Sequence, residues 1–277
     1  MTHAPSRPTT LVKVGGSIQD NPVQMRSIAA DVAELVRRGN GVVVVHGGGK
    51  AISAAMAAAG LQARFVLGQR YTDQRTLDIV EKVLCGDVNR QLVRDIAHAG
   101  ATAMPMTSFA NPVLYARRSG VIDSEGIEHD LGLVGRVTRV DTAALADALN
   151  GGVVPVIAPV ALDDATPPPH GRLNVNADLA AGQVARWDGV GTFILVSDTS
   201  GVRVDAAKFA ETLTAPQCED LKSNGVIDGG MIPKIDACLM ALAKDPSRRV
   251  CITDGRTAHG LLLAATGDDF PGTRITA

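Results

Sequence analysis

Two lysines stand where the local pattern favours an apolar or an acidic residue. Lys13 lies inside the apolar run 11–14, which predicts a strand. Burying an unpaired ammonium costs several kcal/mol, so we expect its head group to reach a strand end where an anion or a carboxylate is bound, unless the strand is an edge strand. Lys234 follows the glycines at 229–230 in the first turn of a predicted helix, where the helix dipole favours an acid. Both lysines are therefore candidates for binding an anion.

A glycine-rich turn offers backbone donors for the same kind of ligand. The segment 46–50, with three consecutive glycines, follows the apolar run 42–45 and precedes an alanine-rich helical pattern. Free N–H groups and the positive end of a helix dipole favour an anion at such a junction. A P-loop is excluded by Val44 and Ala51, and a dinucleotide fingerprint by Ile52. The alternative is a turn that only lets the helix pack closely on the sheet.

Two further segments carry polar groups suited to ligand binding. In Asn174-Val-Asn-Ala-Asp178, alternation places three polar side chains at a strand-to-helix junction, although either asparagine can serve as a simple helix cap. Arg70 can bind a carboxylate through two parallel hydrogen bonds, or can form a surface ion pair instead. Together, these groups favour phosphoryl transfer, because that reaction depends on charge neutralisation and positioning more than on covalent chemistry.

The elements that must position these groups follow from apolar periodicity. Buried strands alternate with helices in an order typical of an α/β fold with a mainly parallel sheet, and glycines in the middle of the chain favour hairpins. Gly86 interrupts a long helical pattern and favours its division into two helices. Strands are predicted at 11–15, 42–45, 101–106, 113–117, 133–140, 153–158, 193–196 and 250–253, and helices after Asn21-Pro22, at 51–59, 73–98, from 141, at 177–186, 215–223, 235–243 and from 258.

The proline-containing loop 163–171 is the best candidate for a boundary between two lobes, 1–170 and 171–277. Its length is equally compatible with an ordinary surface loop. The interpretation as a boundary places the three glycines in the first lobe and Lys234 in the second.

Composition excludes several classes of function. The 277 residues include 27 Lys plus Arg against 29 Asp plus Glu, a net charge of -2 without a long basic run, which argues against a nucleic acid partner. The four cysteines are widely spaced and form no CxxC pair, so neither a zinc site nor a disulfide scaffold is expected, and a reducing cytoplasm fits. No apolar run approaches the roughly 18 residues that a membrane span requires. We expect a cytoplasmic protein with no membrane partner.

Four of these motifs, in this order, resemble the amino acid kinase family, and within it most closely the kinases that act on N-acetylglutamate. The likeness spans nearly the whole chain. It implies a three-layer αβα sandwich with a mainly parallel open sheet, whose N-terminal lobe binds the acyl amino acid and whose C-terminal lobe binds ATP with Mg²⁺ held mainly through the phosphates. The matching segments are Lys13-Val-Gly-Gly16, Val44-Val-His-Gly-Gly-Gly49, Asn174-Val-Asn-Ala-Asp178 and Gly229-Gly-Met-Ile-Pro-Lys234.

The resemblance also implies a role for each matching residue. Lys13 stabilises the transferred phosphoryl group, Lys234 stabilises the nucleotide phosphates and the leaving oxygen, and Asp178 holds both lysines in place. No residue is expected to bind a metal directly. The acceptor-binding residues are Gly48, Gly49, Arg70, Asn174 and Asn176, and the nucleotide-binding residues are Gly16, Ser197, Asp198, Gly201, Val226, Asp228 and Gly230.

The implied reaction transfers the γ-phosphoryl group of ATP to the side-chain carboxylate of N-acetyl-L-glutamate, in arginine biosynthesis. Two departures from the family pattern leave other acceptors possible. The segment 107–112 lacks the Gly-Leu-Ser-Gly-Lys-Asp-like stretch of the family. The residue types at Gln69 and Cys85 resemble those of kinases acting on carrier-bound aminoadipate or glutamate. The alternatives are the same chemistry on another acylated or carrier-bound amino acid, or a non-catalytic regulator that binds nucleotide or amino acid. Retention of both lysines and Asp178 argues against the regulator.

A homodimer formed through the N-terminal lobe is the expected assembly. Arginine-inhibited relatives carry an extra N-terminal helix that joins dimers into a hexamer. Here the first strand begins by Leu11, and the preceding residues include Pro5 and Pro8, which make a continuous helix unfavourable. We therefore expect a two-fold homodimer with little inhibition by arginine.

Overall fold

The computed structural model of the chain describes residues 8–123, 125–165, 167, 171–205, 208–267 and 269–277. Pro5 in the N-terminal tail and residues 168–170 at the expected lobe boundary lie outside the described residues. The strands are β1 (Thr9–Val14), β2 (Gly41–His46), β3 (Phe65–Val66), β4 (Gln69–Arg70), β5 (Ala103–Met106), β6 (Leu114–Arg118), β7 (Val121–Ile122), β8 (Glu128–His129), β9 (Val134–Val140), β10 (Val154–Ile157), β11 (Val160–Asp163), β12 (Arg172–Val175), β13 (Val190–Ser197), β14 (Thr212–Thr214), β15 (Arg249–Asp254) and β16 (Gly272–Thr276).

Helices connect most of these strands. The predicted starts after Asn21 and at Asp141 are confirmed, since each side chain accepts hydrogen bonds from the first turn of the helix that follows it. The helices are α1 (Pro22–Arg37), α2 (Gly49–Ala58), α3 (Gln74–Glu81), α4 (Asn89–His98), α5 (Thr142–Asn150), α6 (Ala177–Ala185), α7 (Ala215–Ser223), α8 (Ile232–Lys244) and α9 (Gly260–Thr266).

The main sheet has the strand order β14-β16-β15-β13-β1-β2-β10-β5. Neighbours from β15 to β5 run parallel, whereas β16 is antiparallel to β15. The residues 42–45 of β2 are fully buried, as expected for a central parallel strand. Val14 of β1 pairs with His46 on one side and with Val196 on the other. The carboxyl ends of β1, β2 and β13 therefore lie side by side.

Helices cover both faces of this sheet. Alternating residues of a strand point to opposite faces, so each face has its own core. On one face, Val12 and Val44 pack under α1, α4 and α9. On the other, Leu11 and Phe193 pack against α5, α6 and α8. These layers confirm the predicted αβα sandwich with a mainly parallel open sheet. None of the helices within the described ranges has the length and apolar composition that a bilayer crossing requires.

A small closed barrel of β6, β9, β11 and β12 stands beside the main sheet. The predicted hairpin character of the middle of the chain is confirmed, because β6 and β9 pair antiparallel. The strand β11 escaped prediction, whereas β12 confirms the strand-to-helix junction predicted at 174–178. Of the two, β12 carries Asn174 and leads directly into α6.

The expected break at Gly86 is wrong. The chain stays helical from α3 through a π-helical segment, Lys82–Val88, into α4. A π-helical turn inserts an extra residue into the helix, so the glycine is accommodated without ending it. Asn89 follows this turn and is fully buried.

Gly182 marks a close crossing between α6 and α8. A Cβ atom at Gly182 would lie 2.8 Å from the Cα atom of Ala237, so a side chain at this position would force the two helices apart. Asp178 lies in the first turn of α6, and Lys234 lies in α8. The crossing therefore controls how these two charged residues meet.

We expect Gly182→Ala to lower the free energy of unfolding, although alanine favours a helix over glycine by about 1 kcal/mol. Overpacking typically costs ~1–3 kcal/mol, and we expect it to outweigh that gain. Gly191→Ala is the matched control, because a Cβ atom there meets nothing within 4 Å. Urea unfolding of both variants measures the difference. A Gly182→Ala protein as stable as the wild type would contradict the close crossing.

Candidate active site

A cavity of about 640 Å³ opens at the carboxyl ends of β1 and β2, the position where ligands bind in open α/β sheets. It collects residues from β1, the turn after β2, β4, the junction of β12 with α6, and the start of α8. Its lining includes the predicted catalytic and acceptor-binding residues together with Gly16, namely Lys13, Gly16, Gly48, Gly49, Arg70, Asn174, Asn176, Asp178 and Lys234.

One carboxylate binds both lysines. Lys13 Nζ lies 2.7 Å from Asp178 Oδ1, and Lys234 Nζ lies 3.1 Å from Asp178 Oδ2. We call these three side chains the lysine–aspartate cluster. Lys13 belongs to a central strand and is 3% exposed, so the interpretation as an edge-strand lysine is wrong. Asn176 caps α6 by accepting hydrogen bonds from the N–H groups of Asp178 and Leu179 at 2.9 and 3.1 Å, which fixes the helix turn that carries the carboxylate.

The lysine–aspartate cluster has a surplus of positive charge. Burial lowers the pKa of Lys13, the charge of Asp178 opposes this, and the pKa stays below its ordinary value. Burial alone would raise the pKa of Asp178, but the charges of Lys13 and Lys234 outweigh it, so the pKa lies below its usual range. Two ammonium groups thus share one ionised carboxylate at the wall of the cavity. The arrangement favours an anion between them.

The turns that follow β1 and β2 pack against each other through glycines. A Cβ atom on Gly16 would lie 2.9 Å from the Gly48 nitrogen and 3.1 Å from the Gly49 nitrogen. Gly48 also has a φ of +147°, which side chains rarely adopt. Among the residues that the structure describes, the N–H groups of Gly16 and Gly48 find no hydrogen-bond acceptor. Both glycines line the cavity, so these donors have capacity for an anion there.

Arg70 brings a separate positive charge to the cavity. Its Nη2 donates to Ser53 Oγ at 2.7 Å and to the Gly49 carbonyl oxygen at 3.1 Å, and the guanidinium lies 4.9 Å from the Phe65 ring centre. Burial lowers its pKa. No carboxylate in the described part of the chain pairs with Arg70, so the alternative of a surface ion pair is wrong. A half-buried guanidinium with neutral partners is suited to a ligand carboxylate.

Thr72 is a site residue that sequence reasoning missed. Its fully buried hydroxyl donates to the Arg70 carbonyl oxygen at 3.1 Å and accepts from Asn174 Nδ2 at 3.1 Å. The amide nitrogen of Asn174 is thereby engaged, which leaves its oxygen as an acceptor toward the cavity. Thr72 lies two residues after Arg70 in the printed sequence, but nothing in the sequence places it beside Asn174.

The segment 107–118 lies outside the lining of this cavity. Thr107 Oγ1 accepts hydrogen bonds from the N–H groups of Phe109 and Ala110 at 3.3 and 3.0 Å, which forms a tight turn. The chain then continues as β6 of the small barrel. Phe109 is exposed on one side and lies under the guanidinium of Arg172, 4.4 Å from the ring centre.

Comparison with known proteins decides the family. The sequence profile of the amino acid kinase family matches residues 8–254. The chain belongs to the amino acid kinase family. It is 38% identical to a protein named acetylglutamate kinase from Bordetella avium, over 97% of this chain and 89% of that protein. A protein of the same name from Methanococcus maripaludis is 36% identical over 96% of this chain and 90% of that protein.

A solved structure shows the same fold. The N-acetylglutamate synthase from Neisseria gonorrhoeae, complexed with coenzyme A and N-acetyl-glutamate, has a TM-score of 0.83 to this chain at 22% identity. The match covers 100% of this chain and 60% of that chain. At this identity, the likeness establishes the fold alone.

The remaining nucleotide-binding residues that the likeness to amino acid kinases implies lie outside the cavity lining, at the ends of neighbouring elements. Ser197 ends β13 beside β1, and its hydroxyl donates to Asp198 Oδ1 at 3.4 Å. Gly201 packs so closely that a Cβ atom would clash with Thr273 Oγ1. The others, Val226, Asp228 and Gly230, precede α8, with Val226 exposed. The last three therefore lie shortly before the helix that carries Lys234, and none of the six residues lines the cavity.

We expect Asp178→Asn to move the alkaline limb of the pH–activity profile to lower pH. Asp178 raises the pKa of Lys13, whereas burial lowers it. Without the carboxylate charge, the pKa of Lys13 falls further, so the ammonium loses its proton at a lower pH. Turnover measured between pH 6 and pH 10 reveals the shift, together with a lower maximum. The control is Asp236→Asn, which removes a carboxylate 2.6 Å from Lys222 and outside the cavity. An unmoved alkaline limb in Asp178→Asn would contradict this assignment.

Proposed function

We propose that this chain transfers the γ-phosphoryl group of ATP to the side-chain carboxylate of N-acetyl-L-glutamate, in arginine biosynthesis. The observation that carries the proposal is the lysine–aspartate cluster facing the same cavity as Arg70. The relatives named acetylglutamate kinase, which match nearly the full chain, support this acceptor.

The acceptor binds through its carboxylate and its amide. Arg70 receives the α-carboxylate in a bidentate manner, and the Asn174 oxygen accepts the amide N–H, because Thr72 already engages the Asn174 nitrogen. Gly49 and Asn176 line the same cavity. The reacting side-chain carboxylate is ionised near pH 7, so no general base is required.

Transfer of the phosphoryl group depends on charge neutralisation. An oxygen of the acceptor carboxylate bonds to the γ-phosphorus, the bond from that phosphorus to the β,γ-bridging oxygen breaks, and ADP leaves with the electron pair. Lys13 neutralises charge on the transferred group and Lys234 on the leaving oxygen, while Asp178 holds both. The N–H groups of Gly16 and Gly48 bind phosphoryl oxygens. Donors fixed in a site that excludes water lower the barrier most, since they need no reorganisation.

ATP lies on the C-terminal lobe, 171–277, and the acceptor on the N-terminal lobe, 1–170. The nucleotide contacts Ser197, Asp198, Gly201, Val226, Asp228 and Gly230. Across the described ranges, no group of three or more His, Cys, Asp or Glu side chains is arranged around a metal position. Both oxygens of Asp178 already bind ammonium groups. This set of side chains fits a Mg²⁺ ion that is held mainly by the ATP phosphates rather than by carboxylates of the chain.

A cytoplasmic homodimer formed through the N-terminal lobe completes the proposal. Support comes from the sequence likeness to the family and from the four cysteines, none of which forms a disulfide. The competing acceptor is another acylated or carrier-bound amino acid, which Gln69 favours because it lines the cavity. ADP release with N-acetylglutamate, N-acetylaminoadipate and a carrier-bound glutamate separates these acceptors. Activity confined to a substrate other than N-acetylglutamate would overturn the proposed specificity.

Replacing Lys13 or Lys234 by alanine should lower turnover by about 10²-fold or more, with smaller changes in the apparent substrate affinities. The reason is that both charges act mainly on the transition state. Steady-state kinetics with ATP and N-acetylglutamate measure the effect. Lys244→Ala is the control on the same helix as Lys234, because Lys244 pairs with Asp188 at 2.8 Å, away from the cavity. Near-normal turnover in both lysine variants would refute the roles given to them.

Arg70→Lys should raise the KM for the acceptor much more than the KM for ATP. Lysine keeps the charge but loses the planar fork that binds a carboxylate through two hydrogen bonds. Arg64→Lys serves as control, since Arg64 is exposed and stacks on Tyr71 at 4.6 Å. Equal rises in both KM values would place Arg70 outside the acceptor site.

A further inference from the structure

His46 is fully buried directly behind the glycine turn 47–49. Two residues after Val44, it points to the sheet face that packs under α1 and α4. Its Nδ1 lies 2.7 Å from the Gly47 carbonyl oxygen, and its Nε2 lies 3.1 Å from Asn89 Nδ2. Neither His46 nor Asn89 lines the cavity.

The hydrogen-bond partners of His46 determine where its proton lies. The Val156 carbonyl oxygen can only accept, and Asn89 Nδ2 donates to it at 2.9 Å. The second N–H of the same amide nitrogen points to His46 Nε2, which must therefore accept. A neutral imidazole that accepts at Nε2 carries its proton on Nδ1 and donates it to the Gly47 carbonyl oxygen. These partners fix the direction of all three hydrogen bonds: Asn89 donates to Val156 and to His46, and His46 donates to Gly47.

Two further observations agree with that direction. Burial lowers the pKa of His46 to about 4, with the charge of Lys13 acting in the same sense, so the ring is neutral at physiological pH. Asn89 Oδ1 is buried without a hydrogen-bond partner in the described part of the chain. Leaving a buried acceptor unsatisfied costs about 1–3 kcal/mol. The orientation of the Asn89 amide that leaves Oδ1 unsatisfied is the one that directs both of its N–H groups at the Val156 oxygen and at His46 Nε2.

The carbonyl of Gly47 and the N–H of Gly48 belong to one planar trans peptide, so they point in opposite directions. A carbonyl held on the side of His46 aims the N–H of Gly48 away from the core and toward the cavity. The Gly48 nitrogen also lies 2.9 Å from where a Cβ atom of Gly16 would stand, so the two glycine turns meet at this peptide.

We infer that His46 and Asn89 are positioning residues for phosphoryl transfer, which hold the Gly47–Gly48 peptide so that the Gly48 N–H binds a phosphoryl oxygen. The inference rests on the proposed function, because it assigns that N–H to the transferred group. Gln19 gives the peptide partial support of its own: with its amide nitrogen turned toward Gly47, it donates to the same carbonyl at 3.2 Å. Without His46, the Gly47 carbonyl oxygen would therefore lose one hydrogen bond and keep the one from Gln19, so the peptide would be held less firmly.

Nitrogen-15 NMR of the imidazole tests the direction of the hydrogen bonds without using activity. In the wild type, we expect His46 as a neutral ring with its proton on Nδ1 throughout pH 5.5 to 8. In Asn89→Leu, the Gly47 carbonyl oxygen still accepts from Nδ1, so we expect the Nδ1 tautomer to persist while the Nε2 resonance shifts because its hydrogen bond is lost. A wild-type ring protonated on Nε2, or an imidazolium at pH 7, would overturn the inference.

Kinetics of two substitutions separate positioning from packing. His46→Asn places an amide nitrogen near the position of Nδ1, whereas His46→Leu fills the space without a donor. We expect His46→Leu to lower kcat by about tenfold, less than the loss on deleting an oxyanion donor, with smaller changes in both KM values. His46→Asn should recover most of kcat. Equal losses of kcat in both variants, at equal thermal stability, would show a packing role and contradict the inference.

The tautomer of His46 and the release of ADP distinguish a failure of the positioning role from a failure of the proposed function. A wild type that shows the Nδ1 tautomer but releases no ADP with N-acetylglutamate refutes the proposed function, and with it the phosphoryl group as ligand of Gly48. A wild type that is active but lacks that tautomer refutes the positioning role alone. If His46→Leu fails to fold, the tautomer of the wild-type ring and the Nε2 shift in Asn89→Leu still test the positioning role.

Discussion

The site depends on a single buried carboxylate that holds two ammonium groups in contact. Without Asp178, Lys13 and Lys234 would repel each other, and nothing from that carboxylate would oppose the lowering of the pKa of Lys13 by burial. Contact among the three side chains requires that three separate parts of the fold are correctly placed. The central strand β1 delivers Lys13, the capped start of α6 delivers Asp178, and the close packing of α6 on α8 at Gly182 delivers Lys234. In an ordinary ion pair the two charges cancel, whereas two ammonium groups and one carboxylate leave a net positive charge at the cavity.

The surplus charge matters because the surrounding backbone is left available to a ligand. The turns after β1 and β2 approach so closely that only glycine fits at Gly16, and no acceptor in the described residues satisfies the N–H groups of Gly16 and Gly48. Backbone donors and two ammonium groups thus point into one cavity that is already formed. Preorganised charge of this kind stabilises a transition state without reorganisation, which suits a reaction in which an already ionised carboxylate attacks phosphorus.

The sequence predicts the layers and the charged residues well because both depend on local signals. A lysine inside an apolar run and a carboxylate after an asparagine cap are visible in a few residues. What it could not predict depends on distant partners or on very short elements. The strands β3 and β4 have two residues each, too few for periodicity, yet they carry Arg70. Asn89 meets His46 only because a π-helical turn keeps the chain helical through Gly86.

Binding of a transition-state analogue tests the central claim most directly, that Lys13 neutralises charge on the transferred phosphoryl group in the transition state. Calorimetry compares the affinity of the wild type and of Lys13→Ala for ADP alone and for ADP with aluminium fluoride and N-acetylglutamate. If the charge acts in the transition state, Lys13→Ala loses affinity for the analogue complex by about the factor by which it loses turnover, while its affinity for ADP changes little. An equal loss of affinity for ADP and for the analogue complex would contradict the account.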